Sequence, residues 1–336
     1  MTRESAAIGS IVGLAVGDAL GYPHEFRTVA QVRRELGPEG ITGFIRSKDE
    51  RFTRPIIIGP DHPAGTFSDD TQMTIAVAEG LIAKGRASRD LLMGELGRRF
   101  VEWYFGPENN RAPGEATGVG CTNLRDGAPW RTAGKEGSKG CGANMRVAPI
   151  GLYFDDLELL ADIARDQALL THRHAAASAG SAAAALLVAL ARRGASPKAA
   201  HAEVTKRCAG ESPDFDAVFS RLPSAVSRVP GEVLVALDTS PHALGEGWVA
   251  EEAVACALYC WWRHPRDFRA CLLEAANTDG DSDSIACIAG GIAGAGVGIE
   301  GIPADWAREV EKSSMLHDLG RRLARAAASG GPPSTG

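Results

Sequence analysis

The chain has 336 residues, 44% of them hydrophobic and only 6% aromatic, with a formal net charge of −6. That length and apolar content suffice for a large core, and the abundance of small residues suits close-packed helices better than a β-sandwich, which draws on β-branched and aromatic residues. An acidic balance without a basic stripe argues against nucleic acid or an anionic membrane as the main partner.

In chain order, hydrophobic periodicity predicts helices over 5–20, 70–84, 88–105, 155–170, 175–194, 197–209, 249–262, 266–276, 283–298 and 304–328. The opening "MTRESAAIGSIVGLAV" has the charged start and short apolar run of a signal peptide, but its glycines, scarce leucine and the following Asp18 read against export. Gly9, Gly13, Gly17 and Gly21 recur at every fourth residue, as do Gly290, Gly294 and Gly298. Four-residue spacing puts each set on one helix face. A bare glycine ridge lets another backbone come close, so these two helices are expected deep in the body and against each other. Each interior Gly costs roughly 0.5–1 kcal/mol relative to Ala, and close approach is the compensation.

Between the helices lie long stretches rich in Gly, Pro, Asp and Asn, at 21–66, 106–150 and 210–247. Loops of that length in a helical body generally carry function. "RPIIIG" at 54–59 predicts a short extended piece, and "ASGGPPSTG" predicts a disordered tail. No linker divides the chain, so one domain is expected over 5–328, with 329–336 as the tail. The longest apolar run, near 285–299, is too short for a membrane span and fits a core helix. Seven cysteines without a CxxC pair, several in apolar surroundings (Cys256, Cys271, Cys287), read as buried thiols of a reducing, cytoplasmic protein.

Two acidic stretches stand out. "NTDGDSDSIACIAGG" places Asp279, Asp281 and Asp283 at alternate positions before an apolar segment, and "GTFSDDTQMTIAVAEG" sets Ser68, Asp69, Asp70 and Thr71 before a helical run. A Ser or Asp ahead of a helix reads first as an N-cap. A cap needs one side-chain oxygen, yet each stretch offers several. Residues i and i+2 point apart on a helix, so Asp281 and Asp283 converge only where a loop enters one. Converging carboxylates and hydroxyls form a hard-oxygen site for Mg²⁺, Mn²⁺ or Ca²⁺. Without a cation such charges repel and their pKa values rise. The spacing does not match an EF-hand, and the absence of flanking Cys or His argues against structural zinc.

The chain resembles the ADP-ribosylglycohydrolases, which include the dinitrogenase-reductase-activating glycohydrolase and the ADP-ribosyl-arginine and ADP-ribosyl-serine hydrolases. The likeness rests on "GLAVGDALGYPHEF" (13–26), "TFSDDTQMT" (66–74), "RAPGEAT" (111–117), "GSKGCGANMRVAPIGL" (137–152), "THRHAAASAGSAA" (171–183) and "TDGDSDSIACIAGGIAGAGVG" (278–298). It implies an all-α fold and a cleft holding two divalent cations, Mg²⁺ or Mn²⁺. By matching position, Ser68, Asp69, Asp70, Asp281, Asp283 and Ser284 are the implied metal ligands, and Glu25, Asp70 and Asp281 the implied catalytic set. Ser138, Gly140, Cys141 and Gly142 fall in the implied ribose- and diphosphate-holding loop. His172 falls where a histidine approaches ADP-ribose, with His174 as its rival. Ser68 and Ser284 stand where Thr is common and keep the hydroxyl, whereas Cys141 stands where some members have Asn.

The implied activity is hydrolysis of the bond joining ADP-ribose to a modified side chain, arginine first. The partner is then an ADP-ribosylated protein or a small ADP-ribose-containing molecule, and the protein is expected to be a monomer. Two other readings compete: an ADP-ribose-binding pseudo-enzyme, and a metal-dependent phosphoesterase that releases phosphate rather than ADP-ribose.

Overall fold

A computed structural model describes residues 1–53, 60–111 and 113–329. The sequence-predicted extended piece at 54–59 and nearly all of the tail lie outside the described residues. The longer helices are α1 (Arg3–Gly21), α2 (Val29–Leu36), α3 (Asp69–Lys84), α4 (Arg89–Tyr104), α5 (Glu115–Arg125), α6 (Leu157–Leu169), α7 (Ala175–Arg192), α8 (Pro197–Cys208), α9 (Ala250–Arg263), α10 (Phe268–Ala276), α11 (Ser282–Val297) and α12 (Ser313–Ala328). Strand among the described residues is confined to a two-residue parallel pair, β1 (Lys135–Glu136) beside β2 (His172–Arg173). The fold is all-α, as the composition and the resemblance imply.

The two glycine ridges meet. A Cβ on Gly9 would lie 2.5 Å from the Gly294 carbonyl oxygen, and one on Gly13 the same distance from that of Gly290. At Gly17 a Cβ would stand 1.9 Å from the Ala286 oxygen, and at Gly21 2.4 Å from the Asp283 nitrogen. Partners descend along α11 as they ascend along α1, so the helices run antiparallel with backbones in direct contact. Ser10 Oγ donates to the Gly291 carbonyl at 2.8 Å and Ser282 Oγ to that of Gly21 at 3.0 Å, closing both parts of the seam. The C-terminal end of α1 is thereby delivered to the N-terminal end of α11. Residues 3–24 and α7 are long and apolar enough to cross a membrane, yet all of the first apolar stretch and 83% of the second are buried inside this body.

Some expectations need correction. The single helix over 304–328 is broken into Ala304–Glu309 and α12. Lys312 adopts a left-handed backbone at φ +52°, and the Glu311 amide donates to the Gly65 carbonyl at 2.9 Å. The Glu311 carboxylate pairs with Arg111 at 2.7 Å. Tertiary partners for Glu311 override a continuous periodic pattern. The long loops also contain helices: α2 begins with a reciprocal Thr28–Gln31 capping box, and α5 spans part of 106–150.

Candidate active site

Asp18 lies on the last turn of α1 and is fully buried. Its Oδ1 accepts the Ser68 amide at 2.7 Å, while its Oδ2 accepts the Thr71 amide at 2.9 Å and the Thr71 hydroxyl at 2.5 Å. The first amides of a helix lack intrahelical acceptors, so a carboxylate from α1 serves the start of α3 from outside. Ser68 itself caps α3, its Oγ accepting the Asp70 amide at 3.2 Å. Both devices hold the first turn so that Asp69 and Asp70 face inward, buried.

Across from them, Asp281 is the N-cap of α11, accepting the Ser284 amide at 3.2 Å. Asp283 sits inside the first turn and accepts the same amide at 3.0 Å. A cap residue lies outside the helical repeat, and that is how positions i and i+2 converge here. Glu25 arrives on the turn after α1. That turn is pinned by His24, whose Nε2 meets the Ala276 carbonyl at 2.7 Å. Oxygens of Glu25, Asp281 and Asp283 lie within 4.8 Å of one another.

These groups open into a cleft of about 360 Å³. Glu25, Asp69, Asp70, Asp281, Asp283 and Ser284 line it, together with Ser138, Gly140, Cys141, Gly142 and His172. Ser68 is not among the residues that line it; it caps α3, and its side chain also bonds the Asp283 carboxylate. His172, not His174, reaches the cleft; His174 caps α7 through Nδ1, which accepts the Ala176 amide at 3.0 Å. The Cys141 thiol is turned to the acidic cluster, donating to Asp281 Oδ2 at 2.8 Å.

The glycine-rich loop is tethered on both flanks. Lys135 N donates to the Thr171 carbonyl at 2.9 Å and Gly137 N to that of Arg173 at 3.0 Å. Further along, Cys141 N donates to the Trp248 carbonyl at 3.2 Å and Ala250 N to that of Lys139 at 2.8 Å. Gly140 and Gly142 wrap the imidazole edge: Cβ atoms there would lie 3.2 Å from His172 Nε2 and 3.1 Å from its Cε1.

Burial dominates the electrostatics. It pushes Asp69 up to about 8 and Asp18 up to about 7, with the Asp283 charge as the next cause. Glu25, Asp70 and Asp281 are held well above the usual carboxylate range for the same reasons, and Asp283 is raised by burial. Among the described residues, Asp70 Oδ2 is buried with no hydrogen-bond partner. A buried polar atom without a partner costs about 1–3 kcal/mol, and more when charged. Carboxylate and hydroxyl oxygens in surplus, one of them orphaned, fit a hard divalent cation.

Several groups carry no assignment from the sequence. Asp18, visible as a carboxylate at the end of the glycine ridge, is buried behind the cleft. Thr117 lines the cleft, as do Phe26 and Trp248, whose rings stack at 5.1 Å and 12°. Phe26 is exposed and sits at φ +67°, a left-handed backbone that few side chains adopt.

A sequence model described as ADP-ribosylglycohydrolase matches residues 1–333. The chain belongs to the ADP-ribosylglycohydrolase family. It is 31% identical over 315 residues to an uncharacterized protein of Archaeoglobus fulgidus, covering 93% of this chain and 94% of that one. ADP-ribosylhydrolase ARH3 of Gallus gallus is 28% identical over 356 residues, covering 93% and 92%. The ADP-ribosyl-[dinitrogen reductase] glycohydrolase of Rhodospirillum rubrum is 28% identical over 320 residues, covering 91% and 90%. A solved structure called an ADP-ribosylglycohydrolase-related protein complex superposes with a TM-score of 0.71 at 26% identity, covering 97% of this chain and 99% of that one. Family membership supports hydrolysis of ADP-ribose linkages as the activity of this chain.

Proposed function

We propose that this protein removes ADP-ribose from a modified protein side chain, arginine in the first place, in a reaction that requires divalent cations. The observation that carries this reading is the meeting of Asp69–Asp70 with Asp281–Ser284 and Glu25 on one cleft, although more than two hundred residues separate the two motifs. Ser68, Asp69, Asp70, Asp281, Asp283 and Ser284 would hold Mg²⁺ or Mn²⁺, and Ser68 also caps the helix that carries Asp69 and Asp70. When bound, such ions supply electrostatic stabilisation and orientation of sugar hydroxyls and water.

The remaining roles fall to the chain itself. The bond to be cut leaves an anomeric carbon through an oxocarbenium-like transition state. Glu25 moves a proton, taking it from the attacking water or giving it to the leaving group; burial and its acidic neighbours favour its holding one. The loop Ser138–Gly142 receives the diphosphate where Gly140 and Gly142 leave the backbone open to an anion, the Ser138 and Cys141 amides being already donated to the Lys135 and Trp248 carbonyls. Holding both reactants in one cleft supplies much of the acceleration. Phe26 and Trp248 offer an aromatic surface beside Glu25. A guanidinium is planar and stacks on such a surface, which favours an arginine-linked substrate over a serine-linked one.

The test is a panel of Arg-linked and Ser-linked ADP-ribosyl peptides, each with Mg²⁺, Mn²⁺ or EDTA. Release of free ADP-ribose, fastest from the Arg-linked peptide and abolished by EDTA, is the expected result. Tight binding of ADP-ribose without turnover on any peptide would identify a pseudo-enzyme. Unchanged rates in EDTA would remove the metal from the reaction.

A further inference from the structure

Arg146 is the largest fully buried side chain of the described residues. Its Nε donates to Gln167 Oε1 at 2.8 Å, and its Nη2 to the Gln167 carbonyl at 3.3 Å and to Thr171 Oγ1 at 2.7 Å. Its Nη1 faces the Met73 sulfur at 3.4 Å, and the guanidinium lies 4.5 Å from the centre of the Phe100 ring. All of these partners are neutral. Withdrawing a cation from water without a carboxylate hydrogen-bonded to it is costly, so its hydrogen bonds to these neutral acceptors must offset that cost. What Arg146 offers that a Met does not is a set of donors with no acceptor among them.

That one-sidedness propagates. Thr171 Oγ1 accepts from Arg146, which leaves its single hydrogen for another group. His172 Nδ1 lies 2.8 Å from the same oxygen. If Nδ1 carried the proton, the buried Thr171 hydroxyl would accept from both neighbours and its own hydrogen would have no partner. The arrangement in which every hydrogen is used has Thr171 donating to a bare Nδ1. The other nitrogen, Nε2, then bears the hydrogen, and it is the atom turned toward Gly140 and the cleft.

We propose that Arg146 and Thr171 form a buried one-way hydrogen-bond relay that locks His172 as the Nε2–H tautomer and presents it to the cleft as a hydrogen-bond donor. The same network positions the loop facing that histidine, because Gln167 Nε2 donates to the Ala143 carbonyl at 2.7 Å, next to Gly142. Arg146 and Thr171 are thus positioning residues that touch no ligand. Burial, with the Arg146 charge behind it, pushes His172 down to about 3, so the ring stays neutral. A neutral N–H donor suits an oxygen acceptor, a phosphate or ribose oxygen if the occupant is ADP-ribose. The choice of ligand rests on the proposed function, whereas the tautomer does not.

The experiment is ¹⁵N-histidine NMR of the whole, ligand-free protein, with His172 assigned by its loss in His172→Asn, alongside calorimetric titration with ADP-ribose. In the wild type His172 shows an unprotonated Nδ1 and a protonated Nε2. Thr171→Val shifts the Nδ1 resonance, because the bond it accepts is gone, and weakens ADP-ribose about tenfold, the scale of one uncharged hydrogen bond. Thr171→Ser restores both readings, which a merely space-filling role for Thr171 would not require. A protonated Nδ1 in the wild type overturns the relay, and so does a Thr171→Val protein in which either the Nδ1 resonance or the ADP-ribose affinity is unchanged. If the wild type fails to bind ADP-ribose, the functional reading falls and the NMR result alone decides the relay.

Discussion

Two buried charged centres serve one cleft, and they are built on opposite terms. Around Glu25, Asp70, Asp281 and Asp283, acceptors crowd together and Asp70 Oδ2 has no partner among the described residues. Around Arg146, each donating nitrogen meets a neutral acceptor, and Gln167 and Thr171 fit the guanidinium. The first centre has acceptors in surplus, which the proposed cation would satisfy. The second is complete and works by holding its neighbours. Buried charge therefore reports function in two ways: surplus marks a place for a ligand, and satisfaction marks a positioning device.

The contrast can be broken most directly at the acidic centre. Asp281→Asn and Asp70→Asn should each abolish cation binding and lower turnover by more than the roughly 100-fold that outer-shell changes around a metal produce. The metal-free variants should be no less stable than the metal-free wild type, since each removes a repelling charge. Turnover assays, metal titration and thermal melts in EDTA read this together, and wild-type rates in Asp281→Asn would end the metal assignment.

The opposite substitution belongs at the second centre. Arg146→Met leaves the Gln167 and Thr171 acceptors without their donor, and unpaired buried groups cost about 1–3 kcal/mol each. We expect a loss of about 3 kcal/mol in denaturant unfolding. An Arg146→Met protein as stable as the wild type would make Arg146 dispensable to the fold and dissolve the contrast.

Asp18 lies between the two cases, since it is acidic yet well supplied with donors from Ser68 and Thr71. Asp18→Asn keeps one acceptor oxygen and loses the other. It should reduce cation affinity roughly 10-fold to 100-fold, as outer-shell changes do, while ADP-ribose affinity measured in EDTA stays near that of the wild type. Equal loss of both would make Asp18 a general support of the fold.

The smallest effect is a dependence on pH. Asp18 and Asp69 shift from 3.8 to about 7 and about 8 in the folded, metal-free protein. Between about 4 and about 8 the folded state then holds protons that the unfolded chain has released, so raising the pH through this window lowers stability. In EDTA the Tm should fall from about pH 5 to about pH 8, and Mn²⁺ should reduce or reverse the fall, because the cation replaces the protons. An increase in Tm with pH in EDTA would contradict the crowding of carboxylates.

The glycine ridges were legible because four-residue spacing is a property of the local helix, and a ridge with no side chains admits only a close neighbour. The two acidic motifs were legible because a cap needs one oxygen and each motif carried several. The break at Glu311 was not, since helical periodicity runs through it and its partners, Gly65 and Arg111, lie about two hundred residues away or more. Nor was Arg146, which reads as an ordinary charged residue within the glycine-rich region until Gln167 and Thr171 close around it.

By itself the amino-acid order determined that the chain is helical, that two glycine-ridged helices pack closely, and that carboxylates crowd ahead of two of its helices, because periodicity, residue volume and residue type act over a few residues. Only tertiary structure decided that Asp18 orders the start of α3, that His172 rather than His174 faces the cleft, and which imidazole nitrogen does so. Those outcomes depend on which donors and acceptors, distant along the chain, are buried within hydrogen-bonding distance, and a hydrogen bond between distant residues has no counterpart in sequence spacing.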